Sequence, residues 1–89
     1  MIWGFNPFNP STRIRYFVGS SKNENKGRSF VEIKVLDILG REVSTLVHGM
    51  MDFGYHETVF DARDLPSGIY FYRFQCNGVV DTKKLVLTK

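Results

Sequence analysis

Two histidines, one cysteine, four acidic residues grouped between positions 52 and 64, and a pair of lysines are the side chains in this 89-residue chain that could support chemistry. A zinc site needs three or four ligands at defined spacings. Neither His48 nor His56 has a carboxylate or thiol at such a spacing, so exposed or hydrogen-bonded rings are the simpler reading. Cys76 is a nucleophile only if the fold sets a base beside it. Its position in phase with Tyr70, Tyr72 and Phe74 suits a small buried hydrophobe better. Asp52, Glu57, Asp61 and Asp64 match no calcium loop, and aspartate in such positions is commonly a turn former. There is no glycine-rich phosphate loop and no nucleophile-elbow serine. The residue types therefore point away from an enzyme and imply no metal and no cofactor. Lys83 and Lys84, adjacent on a strand, project to opposite faces. They read either as charge that keeps other chains off a sheet edge or as a contact for a partner. From the residues alone, edge protection is the simpler reading.

Composition narrows the classes further. The net charge of +3 is mild and the basic residues are scattered, without the clustered stripe of a nucleic-acid reader. No run of eighteen apolar residues exists to span a membrane. The N-terminus lacks the basic-then-apolar layout of a secretory signal, so any such signal belongs to a longer parent chain. A single cysteine excludes an internal disulfide, and the 15% aromatic content with eight Phe supplies a packed core in its place.

The elements that must position these residues are strands. Residues 65–78 (LPSGIYFYRFQCNG) organise the rest: turn chemistry first, then an aromatic and β-branched run, then Asn-Gly, the strongest short hairpin signal. At period two, Tyr70, Tyr72, Phe74 and Cys76 share an apolar face, while Ile69, Phe71, Arg73 and Gln75 share one that turns polar. This is a central strand. Residues 12–18, 30–36, 42–47, 55–60 and 79–87 supply five more, and a seventh is suspected within 49–53. Residues 20–29 read as a polar loop, 37–41 as a turn with positive φ at Gly40, and 48–54 as a glycine-bounded loop. Residues 61–67 form a corner with Leu65 as a plug. The expected fold is all-β, an immunoglobulin-like antiparallel β-sandwich of six to seven strands. Tyr70 fits a tyrosine corner, in which the phenol bonds upstream backbone; a plainly buried aromatic is the alternative. The two Asn-Pro pairs make residues 1–10 an extended lead-in and linker remnant, with the sandwich at 11–89.

Four stretches, in order, resemble one family. They are residues 6–12 (NPFNPST) with Ile14 and Tyr16, residues 35–43 (VLDILGREV) with Thr45, Leu46 and Val47, residues 65–73 (LPSGIYFYR), and residues 83–87 (KKLVL) close to the chain's end. Together they are similar to the C-terminal sorting domains (type A) of the bacterial type IX, or Por, secretion system, over nearly all of residues 5–89. A related fold occurs in flagellar hook-capping proteins, so fold alone does not separate those roles.

The resemblance implies a module, not a catalyst: a signal recognised by the outer-membrane type IX translocon, directing a cargo across the outer membrane. Such domains belong to secreted or cell-surface proteins of Bacteroidetes and relatives, which reach the periplasm by a separate N-terminal signal. A sortase-like protease commonly removes the domain, and the cargo is joined to anionic lipopolysaccharide in some members. That cut would fall in or upstream of residues 1–10. The implied partners are therefore the translocon, the protease and an N-terminal cargo domain. A dimer through edge strands is a further expectation. The family's Gly-x-Tyr element maps to Gly68 and Tyr70, and its lysine pair to Lys83 and Lys84. Its export-linked tail maps to Leu85, Val86, Leu87, Thr88 and Lys89. Two features depart from the family pattern: the polar stretch 20–29 is long, and residues 1–4 (MIWG) replace the end of a cargo linker, as in an excised fragment. The competing expectation is a structural or carbohydrate-binding accessory module, with Trp3, Phe5 and Phe53 as its aromatic platform.

Overall fold

A computed structural model of the chain describes residues 11–19 and 28–88, and the backbone of residues 2 and 3. Its strands are β1 (Ile2–Trp3), β2 (Ser11–Val18), β3 (Arg28–Leu36), β4 (Glu42–Asp52), β5 (Gly54–Asp61), β6 (Gly68–Cys76) and β7 (Val79–Leu87). They form two antiparallel sheets, one ordered β1-β2-β5 and the other β4-β3-β6-β7. The expected β-sandwich is thus the fold.

Strict alternation places one face of β2, β3 and β6 inside. Ile14, Tyr16 and Val18 of β2 meet Val31, Ile33 and Val35 of β3 and Tyr72 and Phe74 of β6, all at most 2% exposed. The outward residues of β2 (Arg13, Arg15 and Phe17) remain exposed, so this sheet is wet on its other side. Phe60, Ala62, Leu85 and Leu87 close the core at the corner end, with Leu65 packed against it as the expected plug. Between β6 and β7, Asn77 (φ 52°) and Gly78 (φ 79°) both take left-handed backbone, the requirement of a type I′ hairpin turn. Gly40 takes φ 83° in the β3–β4 turn, as expected.

Two expectations are corrected. Residues 48–54 do not form a loop: β4 continues through Met50 and Met51 to Asp52, so the suspected seventh strand at 49–53 is its second half. The β3–β4 register shifts between Ile33 and Lys34 and again between Val35 and Leu36. Each shift inserts an unpaired β4 residue and breaks the period of two, which is why β4 does not read as one strand. The separate short strand is instead β1, paired through Ile2 and Trp3 with Tyr16 and Arg15. The polar loop at 20–29 is also too long by two residues. Arg28 and Ser29 belong to β3, and Ser29 is 1% exposed with its hydroxyl accepting a 2.9 Å hydrogen bond from Asn77 Nδ2. Residues 20–27 lie outside the described residues, as does the lead-in apart from residues 2 and 3.

Candidate functional site

The residues mapped to export are distant in sequence and adjacent in the sheet. Because the Asn77-Gly78 turn has two residues, it fixes every pair behind it. Gly68 faces Leu87, Ile69 faces Val86, Tyr70 faces Leu85, Phe71 faces Lys84 and Tyr72 faces Lys83. The Gly-x-Tyr element and the terminal element are therefore one ladder at one end of the β6–β7 hairpin. That register was available from the turn and the strand lengths, and the sequence reading did not use it.

The corner before β6 fixes where this ladder begins. The Leu65 amide bonds the Ala62 carbonyl at 3.0 Å, and the Tyr70 hydroxyl donates to the Pro66 carbonyl at 2.7 Å. This is the tyrosine corner expected of Tyr70, and it ties a central strand of the four-stranded sheet to the loop that feeds it. Gly68 sits between them at φ 157°, a backbone conformation that L side chains rarely adopt.

Side chains of the ladder divide into two sets. Tyr70, Leu85 and Leu87 are buried, at 6%, 0% and 1% exposure, and Val86 is half-buried. Lys83, Lys84 and Thr88 are exposed, and Lys89 lies outside the described residues. The lysines take opposite faces, Lys83 on the side of Tyr72 and Lys84 on the side of Phe71. A partner touching this end would meet the lysines and Thr88, while the leucines hold the strand in place.

A feature the sequence reading passed over lies beside this ladder. The β3–β4 turn and the corner enclose a groove of about 560 Å³, lined on its apolar side by Ile38, Leu39, Val43, Leu65, Pro66 and Ile69. Ile38 and Leu39 are 68% and 73% exposed, unusual for aliphatic side chains in a tight turn. Asp37 holds that turn: its carboxylate accepts from the Leu39 and Arg41 amides, both at 2.9 Å, and from Arg41 Nε at 2.8 Å. The Arg41 amide foremost, and then its guanidinium, holds the Asp37 carboxyl below the usual carboxylate range. Two apolar residues in a turn were the available signal. Three of the four motif stretches, 35–43, 65–73 and 83–87, thus meet at the corner end.

The candidate catalytic groups do not converge. His48 Nδ1 donates to Glu32 Oε2 at 2.9 Å, and its ring packs edge-on against Phe30. On the opposite sheet, His56 stacks on Tyr16, its Nε2 donating to the Asp52 carbonyl at 2.7 Å. Cys76 is 7% exposed, and burial pushes its thiol up, away from thiolate character. Among the described residues, no three of His, Cys, Asp and Glu are arranged to hold a metal. Three of the four acidic candidates face arginines: Asp52 meets Arg28 at 3.0 Å, Asp61 meets Arg63 at 3.0 Å, and Glu57 meets Arg13 at 3.9 Å. Of the aromatic platform considered for a glycan, Phe53 is exposed, while the side chains of Trp3 and Phe5 lie outside the described residues.

A family model described as a secretion system C-terminal sorting domain matches residues 6–88. No curated protein matches the chain.

Proposed function

The chain belongs to the family of secretion system C-terminal sorting domains, and from this we propose that the corner end of its β6–β7 hairpin is the surface the translocon reads. The family makes it a C-terminal sorting signal for type IX secretion, with a cargo N-terminal to it and a secreted or cell-surface destination across the outer membrane. The observation that supports the particular surface is the β6–β7 register, which gathers Gly68, Tyr70, Lys83, Lys84 and the terminal residues into one ladder.

In this reading residues 11–89 are the recognised body and residues 1–10 the link to cargo. Ile2 and Trp3 nevertheless pair with β2, so part of that link is built into the first sheet. Gly68 and Tyr70 set the corner, and Lys83 and Lys84 present charge at the sheet edge. Leu85, Val86 and Leu87 anchor the last strand, and Thr88 and Lys89 extend beyond it. The outer-membrane translocon and a sortase-like protease are the partners, the cargo passes through the periplasm, and the domain does no chemistry itself.

The test is export of a reporter carrying residues 5–89 behind a periplasmic signal in a type IX-competent host. The reporter is expected outside the cell; retention in the periplasm, as in a translocon-null strain, overturns the reading. Removing residues 85–89 is expected to abolish export. Because that deletion also takes Leu85 and Leu87 from the core, removal of Thr88 and Lys89 alone separates a lost signal from a lost fold.

A further inference from the structure

We infer that β7 is a self-pairing edge: two copies of this chain join β7 to β7 in antiparallel fashion about Thr82, giving one continuous eight-stranded sheet. β7 is an outermost strand of the four-stranded sheet and keeps nine unbroken pairs with β6. The two-residue turn makes Cys76 and Val79 a hydrogen-bonded pair, so the backbone groups of Val80, Thr82 and Lys84 point away from β6. No described residue pairs with them. Val86, next in that series, is already engaged.

A strand that pairs with its own copy must be complementary to its own reversal, and of the registers centred on Asp81, Thr82 and Lys83 only one is. With Thr82 opposite the partner's Thr82, Asp81 faces the partner's Lys83 and Lys83 faces the partner's Asp81. Val80 and Lys84 then exchange backbone bonds with the partner's Lys84 and Val80. Centring on Lys83 sets lysine against lysine, and centring on Asp81 sets aspartate against aspartate; both are repulsive. The favoured register also explains Val80, which is 55% exposed in the single chain and lies beside the aliphatic stem of the partner's exposed Lys84. One strand pair is a small interface, so association is weak and concentration-dependent.

This inference bears on the sorting reading, because the pairing edge contains Lys83 and Lys84 and a dimer would cover them. Self-association is nonetheless measured without a translocon, so its failure leaves the export reading intact.

Sedimentation equilibrium of the 89-residue chain at low salt, over a concentration series, tests it. A monomer–dimer equilibrium that weakens with salt is expected. Asp81→Lys and Lys83→Asp each turn both cross-strand charge pairs repulsive, and each is expected to weaken self-association about tenfold. Mixing the two variants is expected to restore it, since each then supplies the charges the other needs. Thr82→Pro removes an outward N–H without touching the β6 ladder, so it is expected to give a folded monomer. A wild-type chain that stays monomeric throughout overturns the inference and leaves the edge to a strand from another protein. So does a dimer indifferent to Thr82→Pro, or single variants that associate as strongly as their mixture.

Discussion

β4 and β7 both run along an outer edge of the same sheet, yet β4 breaks register with β3 at two places while β7 keeps nine regular pairs with β6. β4 also turns directly into β5 of the opposite sheet after Phe53, which folds that edge into the sandwich. Bulges twist an edge and spoil it as a template for another strand. β4 is therefore guarded by geometry. β7 is regular and exposed along its first six residues apart from half-buried Asp81, and only its charged side chains restrict which strand can pair with it. The same sheet thus closes one edge and keeps the other regular, and residues 83–87 lie on the regular one.

The strongest way to test that contrast is to thin the core beneath each edge. Leu85 of β7 is fully buried, whereas Leu46 of β4 is only partly buried against the core. Leu85→Ala is expected to cost about 2–5 kcal/mol in urea unfolding, and Leu46→Ala clearly less. Equal costs would mean that β4 is as deeply seated as β7 and that the contrast is superficial. A smaller pair of changes probes the strand that supports β7. Tyr70→Phe removes the bond to the Pro66 carbonyl and is expected to cost about 0.5–1.5 kcal/mol. The Tyr72 hydroxyl is buried with no partner among the described residues, so Tyr72→Phe is expected to be neutral or stabilising. If both cost the same, the corner contributes nothing beyond ring packing.

How legible this was depended on the strand. Tyr70 could be placed in a corner from its distance to Leu65 and Gly68, and the inward set of β2 and β3 followed from alternation, because those strands keep their period throughout. β4 lost its period at the two shifts, so Met50 and Met51 read as loop although they face Phe30 and Ser29 across the pair. The pairing of His48 with Glu32 was hidden for the same reason, since it depends on a register that bulges alter. The corner-end ladder was hidden differently. Its information lay in the turn length, which fixes partners, not in any property of Gly68 or Leu87 themselves. The groove by Ile38 and Leu39 needs the corner and the β3–β4 turn brought to one end, which no local pattern encodes.

The two edges also divide by pH. On the β4 side, Lys34 bonds Glu42 across the pair, and Asp37 binds Arg41 in the turn that leads into β4. The Lys34 ammonium draws the Glu42 carboxyl down, as the Arg41 amide does for Asp37, from ordinary values of 4.5 and 3.8. Depressed carboxyls stabilise the fold above those values and lose that contribution as pH falls through the folded pKa. Acid is therefore expected to loosen β4 first. On the β7 side, burial, with Asp81 adding to it, pushes the Tyr72 phenol from 10.0 up to about 12. A raised pKa stabilises fully below 10 and is lost as pH climbs toward 12, so alkali is expected to loosen β6 and β7. Amide protection factors at the two extremes, with a phenolate absorbance titration, check both halves. Loosening of β7 in acid before β4 would reverse the assignment.

The smallest expected effect on stability is also the one that decides what the lysines are for. Lys83 and Lys84 are exposed and have no ion-pair partner among the described residues, so replacing them changes folding by no more than about 0.5 kcal/mol. Edge protection needs charge of either sign, whereas a contact with a partner needs positive charge. Changing both lysines to Gln removes both properties; changing both to Glu keeps the guard and inverts the contact. If the Gln variant aggregates while the Glu variant stays soluble and is exported, the lysines serve only the edge. If both variants stay folded and soluble but neither leaves the periplasm, positive charge at this edge is part of what the translocon reads. Turbidity, urea unfolding and the reporter's location, measured on the same pair of variants, separate these outcomes because a lost fold would appear in the first two before the third.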